Sequence, residues 1–99
     1  MAELVTVEVE GFDESDYKRV NQNLGLDMYS GTGDMPAGML AHAAGPMQGG
    51  WKVVEVWVSR ADQENFLHSR LGSAMQQAGA TSQPKISWFP LVAYATPGK

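Results

Sequence analysis

Ninety-nine residues with 43% hydrophobic content provide for one core and leave no room for a second. Eleven acids against seven scattered bases give a net charge of −4, which argues against a surface that tracks nucleic-acid phosphates. With no cysteine, the chain has no disulfide, no thiolate metal site and no thiol nucleophile.

Met1 is followed by the alternating segment Glu3 to Glu10, not by a basic stretch and an apolar run, and nothing approaches the roughly 20 apolar residues of a membrane span. The expectation is a single soluble, cytoplasmic domain over residues 1–99, with neither nucleic acid nor membrane as partner. A chain this short hides only about 60–70% of its unfolded surface, so a leftover apolar face is expected to pair with a second copy as a homodimer.

In the first segment Val5, Val7 and Val9 fall on one side and Thr6, Glu8 and Glu10 on the other, the alternation of a strand with one apolar face. Asp13-Glu14-Ser15-Asp16 then supplies a cap and first-turn acids. Tyr17, Val20, Asn21 and Leu24 follow at helical spacing until Gly25 ends the run, predicting a helix of about three turns. Gly25 to Gly38, with four glycines, one proline and little periodicity, reads as a surface loop that acts as a flap, with Met28, Tyr29 and Met35 on its underside.

Met39 to Ala44 is extended, Gly45 to Gly50 breaks the pattern, and Trp51 to Ser59 resumes it, which predicts a hairpin with an irregular turn. The β-branched run Val53, Val54, Val56 and Val58 favours strand, and Ser59 suits the cap of the next helix. That helix is expected from Ala61 to Ala80, with Phe66, Leu67, Leu71, Ala74, Met75 and Ala78 as its apolar stripe. Gly72 inside it costs about 1 kcal/mol relative to alanine unless it permits close packing. A last strand runs from Lys85 to Ala95. The order β-α-β-β-α-β predicts an α+β, ferredoxin-like antiparallel sheet with two helices on one face and an apolar second face.

The run from Gly49 to Trp57, with Ser59-Arg60, Phe66, Arg70-Leu71-Gly72 and Phe89-Pro90-Leu91, resembles the small dimeric α+β-barrel proteins related to antibiotic-biosynthesis monooxygenases. The resemblance covers nearly the whole chain. It implies a dimeric α+β barrel and leaves the activity open, because the superfamily includes cofactor-free oxygenases of aromatic polyketides, polyketide cyclases, haem-degrading enzymes and members with no known reaction. The haem-degrading branch fits poorly: it carries a tryptophan where Phe66 stands and an iron-ligating histidine near the position of Gln76.

His42 interrupts the apolar strand Met39 to Ala44 and carries the side chain best matched to proton transfer near neutral pH, so it is the leading catalytic candidate. The alternative is a core histidine bonded to a backbone carbonyl. Glu55, inside a valine strand, is costly if buried unpaired and serves either to orient His42 or as a base; the alternative is an edge or dimer-interface residue paired with Lys or Arg. If the hairpin pairs even residues with odd ones, His42 shares a face with Glu55 and Trp57, and a one-residue slip separates them.

Tyr17, Met28, Tyr29, Trp57, Phe66, Trp88 and Tyr94 are together candidates to line a cavity for a flat apolar ligand, although for each one alone ordinary core packing is the better reading. His68 lies beside the helix stripe and faces either that cavity or solvent. Gly31-Thr32-Gly33-Asp34 lacks the lysine of a phosphate loop, the two histidines lack the spacing of a metal site, and no serine sits in a nucleophile turn. Two functions remain. One is cofactor-free oxygenation or cyclisation of an aromatic or polyketide-like molecule, in the manner of a monooxygenase or polyketide cyclase. The other is a non-catalytic ligand-binding or accessory dimer.

Overall fold

The computed structural model describes residues 2–79 and 83–98. In chain order it contains β1 (Glu3–Glu10), α1 (Glu14–Leu24), a short pair β2 (Leu26–Asp27) and β3 (Thr32–Gly33), β4 (Met39–Met47) and β5 (Gly50–Trp57). Then follow α2 (Arg60–Phe66), a π turn (Leu67–Leu71), α3 (Gly72–Gln77) and β6 (Lys85–Pro90). The four long strands form one antiparallel sheet in the order β4-β5-β1-β6, the ferredoxin-like arrangement.

Strand alternation sets the layers. Val5 and Val9 of β1 and Trp51 and Trp57 of β5 turn toward the helices, where Tyr17 and Val20 of α1, Phe66 of α2, and Ala74 with Ala78 at the end of α3 close over them. Asp13 caps α1 reciprocally: its carboxylate accepts from the Asp16 backbone N–H at 2.9 Å while Asp16 accepts from the Asp13 N–H at 3.1 Å. Gly25 ends the helix in the left-handed region at φ 74°, a conformation costly for any side chain bearing a Cβ. Arg19 and Asn23 donate to the carbonyls of Ala78 and Ala74, tying α1 to α3.

Four boundaries differ from the sequence expectation. The flap is not wholly irregular: Leu26 and Asp27 pair with Gly33 and Thr32 in a miniature hairpin. The break expected at Gly45 does not occur, because β4 lies at the sheet edge, where Pro46 removes no needed ladder bond, and the turn shrinks to Gln48-Gly49 with Gly49 at φ 79°. The second helix is interrupted by the π turn. There Ser69 Oγ–H donates to the Asn65 carbonyl at 2.6 Å, and a Cβ on Gly72 would lie 3.2 Å from the Leu67 carbonyl oxygen. The expected end of that helix, Ala80, lies outside the described residues. The last strand stops at Pro90 instead of Ala95: its ladder with β1 ends at the Glu3–Pro90 pair, and the Leu91 N–H donates to the Ala2 carbonyl at 2.9 Å.

Candidate active site

The tight β4–β5 turn pairs Met47 with Gly50 and so counts His42 into place directly opposite Glu55. Both side chains face the helices. A bulge at Leu40, farther from the turn, swings Met39 to the same side without disturbing that register. On the next inward position of β5, Trp57 stands beside Glu55, and α1 brings Tyr17 down onto His42.

These four side chains form a continuous hydrogen-bonded line. The Trp57 indole N–H donates to Glu55 Oε1 at 2.9 Å, Glu55 Oε2 lies 2.8 Å from His42 Nδ1, and the Tyr17 hydroxyl lies 2.5 Å from His42 Nε2. Because a carboxylate accepts on both oxygens, Nδ1 carries the imidazole proton and Nε2 receives the Tyr17 O–H. Glu55 is 7% exposed and Tyr17 8% exposed, so the line is shielded from bulk water along its length. Burial pushes the Tyr17 phenol up to about 12; the Asn21 side chain opposes this, and the charges of Tyr29, Glu55 and Asp27 add to it. Tyr17 therefore remains a proton donor to Nε2 across the physiological range.

The line opens on two connected spaces. An inner chamber of about 70 Å³ lies between sheet and helices, walled by Val7, Val53, Phe66, Leu71 and Met75. An outer cleft of about 360 Å³ runs past Glu14, Tyr29 and the 43–46 segment of β4. Tyr17, Met28, His42 and Trp51 belong to both, so the imidazole sits at their junction. The inner space alone is smaller than the roughly 150 Å³ cavity known to accept benzene. Met28 and Met75, with flexible and polarizable side chains, are the walls best able to give way to a ring.

The flap is fastened over this junction. Arg70, from the π turn, donates to the Leu24 carbonyl at 2.9 Å and the Asp34 carbonyl at 2.8 Å, and its guanidinium stands 5.5 Å from the centre of the Phe66 ring. At the mouth, Tyr29 donates to Glu14 Oε2 at 2.8 Å and meets Tyr17 edge-on, ring centres 5.9 Å apart.

Of the residues singled out from sequence, Tyr17, Met28, His42, Glu55 and Phe66 line the inner chamber and Tyr29 lines the cleft. Trp57 acts through Glu55. Three lie elsewhere: His68 is on the exposed side of the π turn, Trp88 lies under the Arg60 guanidinium at 4.7 Å, and Tyr94 is exposed beyond the last strand. None of the three lines either space. His68 takes the solvent-facing one of the two orientations its place beside the stripe left open. Tyr94 drops out because the strand ends early. Sequence reading passed over Trp51, Asn21 and Gln63, which also line the chamber; Gln63 precedes Phe66 by one helical turn, the one signal that could have found it.

Among the described residues no three His, Cys, Asp or Glu side chains gather closely enough to hold a metal ion, and no helix is long and apolar enough to cross a membrane. Neither a family model nor a curated relative matches the sequence. Solved structures do match. A protein of unknown function from Nitrosomonas europaea superposes with a TM-score of 0.67 at 17% identity, covering 99% of this chain and 96% of that one. SnoaB, a cofactor-independent oxygenase from Streptomyces nogalater, gives 0.59 at 13% identity over 99% and 97%. A Deinococcus radiodurans protein provisionally described as an antibiotic biosynthesis monooxygenase gives 0.59 at 12% identity over 97% of each chain.

The fold is that of the antibiotic-biosynthesis-monooxygenase-like proteins. At these identities the likeness concerns architecture, and the chemistry of this chain has to be argued from its own side chains.

Proposed function

We propose that the protein is a cofactor-independent enzyme that removes an acidic proton from a small aromatic or polyketide-like molecule. The observation that carries this reading is the Trp57–Glu55–His42–Tyr17 line, buried and ending in a chamber whose remaining walls are apolar apart from Asn21, Gln63 and the Trp51 indole N–H. Tyr17 takes the substrate proton as its own passes to His42 Nε2, leaving an imidazolium held against the Glu55 carboxylate. The substrate is left with the electron pair as a carbanion or enolate. That anion then adds dioxygen or attacks an internal carbonyl to close a ring. Dry walls protect it from reprotonation.

The test is a panel of phenol- and ketone-bearing aromatics followed by dioxygen consumption and product mass. Turnover with oxygen uptake marks the oxygenase, and turnover without it marks the cyclase. His42→Ala is expected to lower turnover by about 10²–10⁴ in either case. A variant that retains wild-type turnover contradicts the reading.

A second reading, a non-catalytic ligand-binding or accessory dimer, is favoured by one feature: the Tyr17 hydroxyl already occupies the imidazole lone pair. On that reading His42→Ala preserves the biological output, and filling the chamber with Val53→Trp abolishes ligand binding.

We also propose that the chain works as a homodimer joined through the open face of its sheet. Leu4, Val54 and Phe89 point away from the helices, and Phe89 and Val92, on and after β6, are strongly exposed. Sedimentation at micromolar concentration is expected to give twice the chain mass; a monomer throughout contradicts it.

A further inference from the structure

Gln63 lies in the second turn of α2, whose start is fixed by Ser59 Oγ accepting from the Asp62 N–H at 3.2 Å. That register puts Gln63 on the same helix face as Phe66, which packs on Trp57 with ring centres 5.8 Å apart. Gln63 thus enters the inner chamber from its helical roof and is only 3% exposed. Glutamine is seldom so deeply buried, and a buried carboxamide is expensive unless it is hydrogen-bonded. Among the described residues, none holds the Gln63 side chain by a hydrogen bond.

The other polar groups of the chamber are matched to one another. Tyr17, His42 and Glu55 form the line described above, and the Asn21 amide donates to the Tyr17 carbonyl at 2.9 Å. The exceptions are Gln63 and the Trp51 indole N–H, which is buried without a partner. Trp51 is a donor only, and Gln63 brings two donors and one acceptor. Among these two unmatched groups donors therefore outnumber acceptors three to one, and the Glu55 carboxylate already present makes a second carboxylate unwelcome. A neutral ligand with ketone or phenol oxygens supplies what is missing.

We propose that Gln63 is a specificity-determining residue whose carboxamide hydrogen-bonds a carbonyl or hydroxyl oxygen of the ligand, selecting oxygenated rings over hydrocarbons of the same shape. This rests on the chamber being the ligand site of the function proposed above.

Phenol and toluene, nearly identical in shape, are the probes, titrated into ¹⁵N-labelled wild-type protein and Gln63→Leu. The Gln63 side-chain amide and Trp51 indole resonances report binding. The preference for phenol over toluene is expected to fall about tenfold in Gln63→Leu, while toluene binds at least as well and the melting temperature is equal or higher. An unchanged preference overturns the assignment and leaves the His42 chemistry standing. A clearly lower melting temperature also overturns it, since the amide would then be satisfied within the fold. If neither probe perturbs the wild-type chamber at millimolar concentration, this inference and the site reading fall together. If the preference falls but His42→Ala turns over normally, Gln63 stands and the proton-transfer chemistry does not.

Discussion

Replacing Glu55 with glutamine keeps the shape of the buried line but reverses its proton order. The Trp57 N–H requires an acceptor at the Oε1 position, which fixes the glutamine carbonyl there and turns its NH₂ toward His42 Nδ1, 2.8 Å away in the wild type. Nδ1 must then accept, so the imidazole proton moves to Nε2 and points at the Tyr17 oxygen. The ring that was ready to receive a proton from Tyr17 now presents one. Exchanging two charge-assisted bonds for neutral ones costs about 1–3 kcal/mol of stability, a modest loss. Activity is expected to fall far more, by about 10²–10⁴, the range for a lost or wrongly tautomerised base. Imidazole ¹⁵N shifts read the tautomer directly, and the chain has only two histidines to assign. An Nδ1-protonated His42 in a folded Glu55→Gln variant would refute the reasoning, as would wild-type turnover.

Other consequences are open to measurement. Tyr17, raised from 10.0 to about 12 in the folded chain, contributes stability that is present below pH 10 and is lost as the pH rises through 12. A rise of that size limits the contribution to about 3 kcal/mol. Urea unfolding of wild type and Tyr17→Phe between pH 9 and 12 should therefore converge at the alkaline end, and phenolate absorbance at 295 nm should show one tyrosine titrating near 12. Arg70→Ala removes the bond to the flap carbonyl of Asp34 and the one to the Leu24 carbonyl at the end of α1; faster amide exchange confined to residues 25–38 and a raised KM are expected, with about 1–3 kcal/mol lost. A flap as protected as wild type would show that Arg70 does not fasten it. Gly50→Ala drives a Cβ into the Val9 carbonyl oxygen, which is backbone rather than a yielding side chain, and is expected to cost about 1–3 kcal/mol by thermal melt. A melt within error of wild type would show that β1 and β5 can separate locally.

The sheet was legible because its signals are local: alternating valines, a glycine after each helix, a serine cap before α2. The pairing of His42 with Glu55 was legible only as a condition. Register depends on the turn, and Gly45-Pro46 disguised a two-residue turn as a longer break, since nothing local reveals that β4 is an edge strand where proline is tolerated. Tyr17 appeared as a cavity residue, not as the partner of the imidazole, because helix-to-strand distance is a tertiary quantity. The π turn is likewise invisible to a periodicity count. Gln63 was missed because an isolated glutamine in a polar helix start looks solvated until the roof above Trp57 is seen.

Deuterium exchange at the benzylic carbon of 2-tetralone in D₂O isolates the step on which the account depends, because it needs proton removal and neither dioxygen nor ring closure. Wild-type protein is expected to accelerate loss of that proton signal well above the buffer rate, with His42→Ala and Glu55→Gln returning it to background. Exchange equally fast in His42→Ala, or no faster than buffer in the wild type at saturating probe, would contradict a proton-transfer role for the buried line.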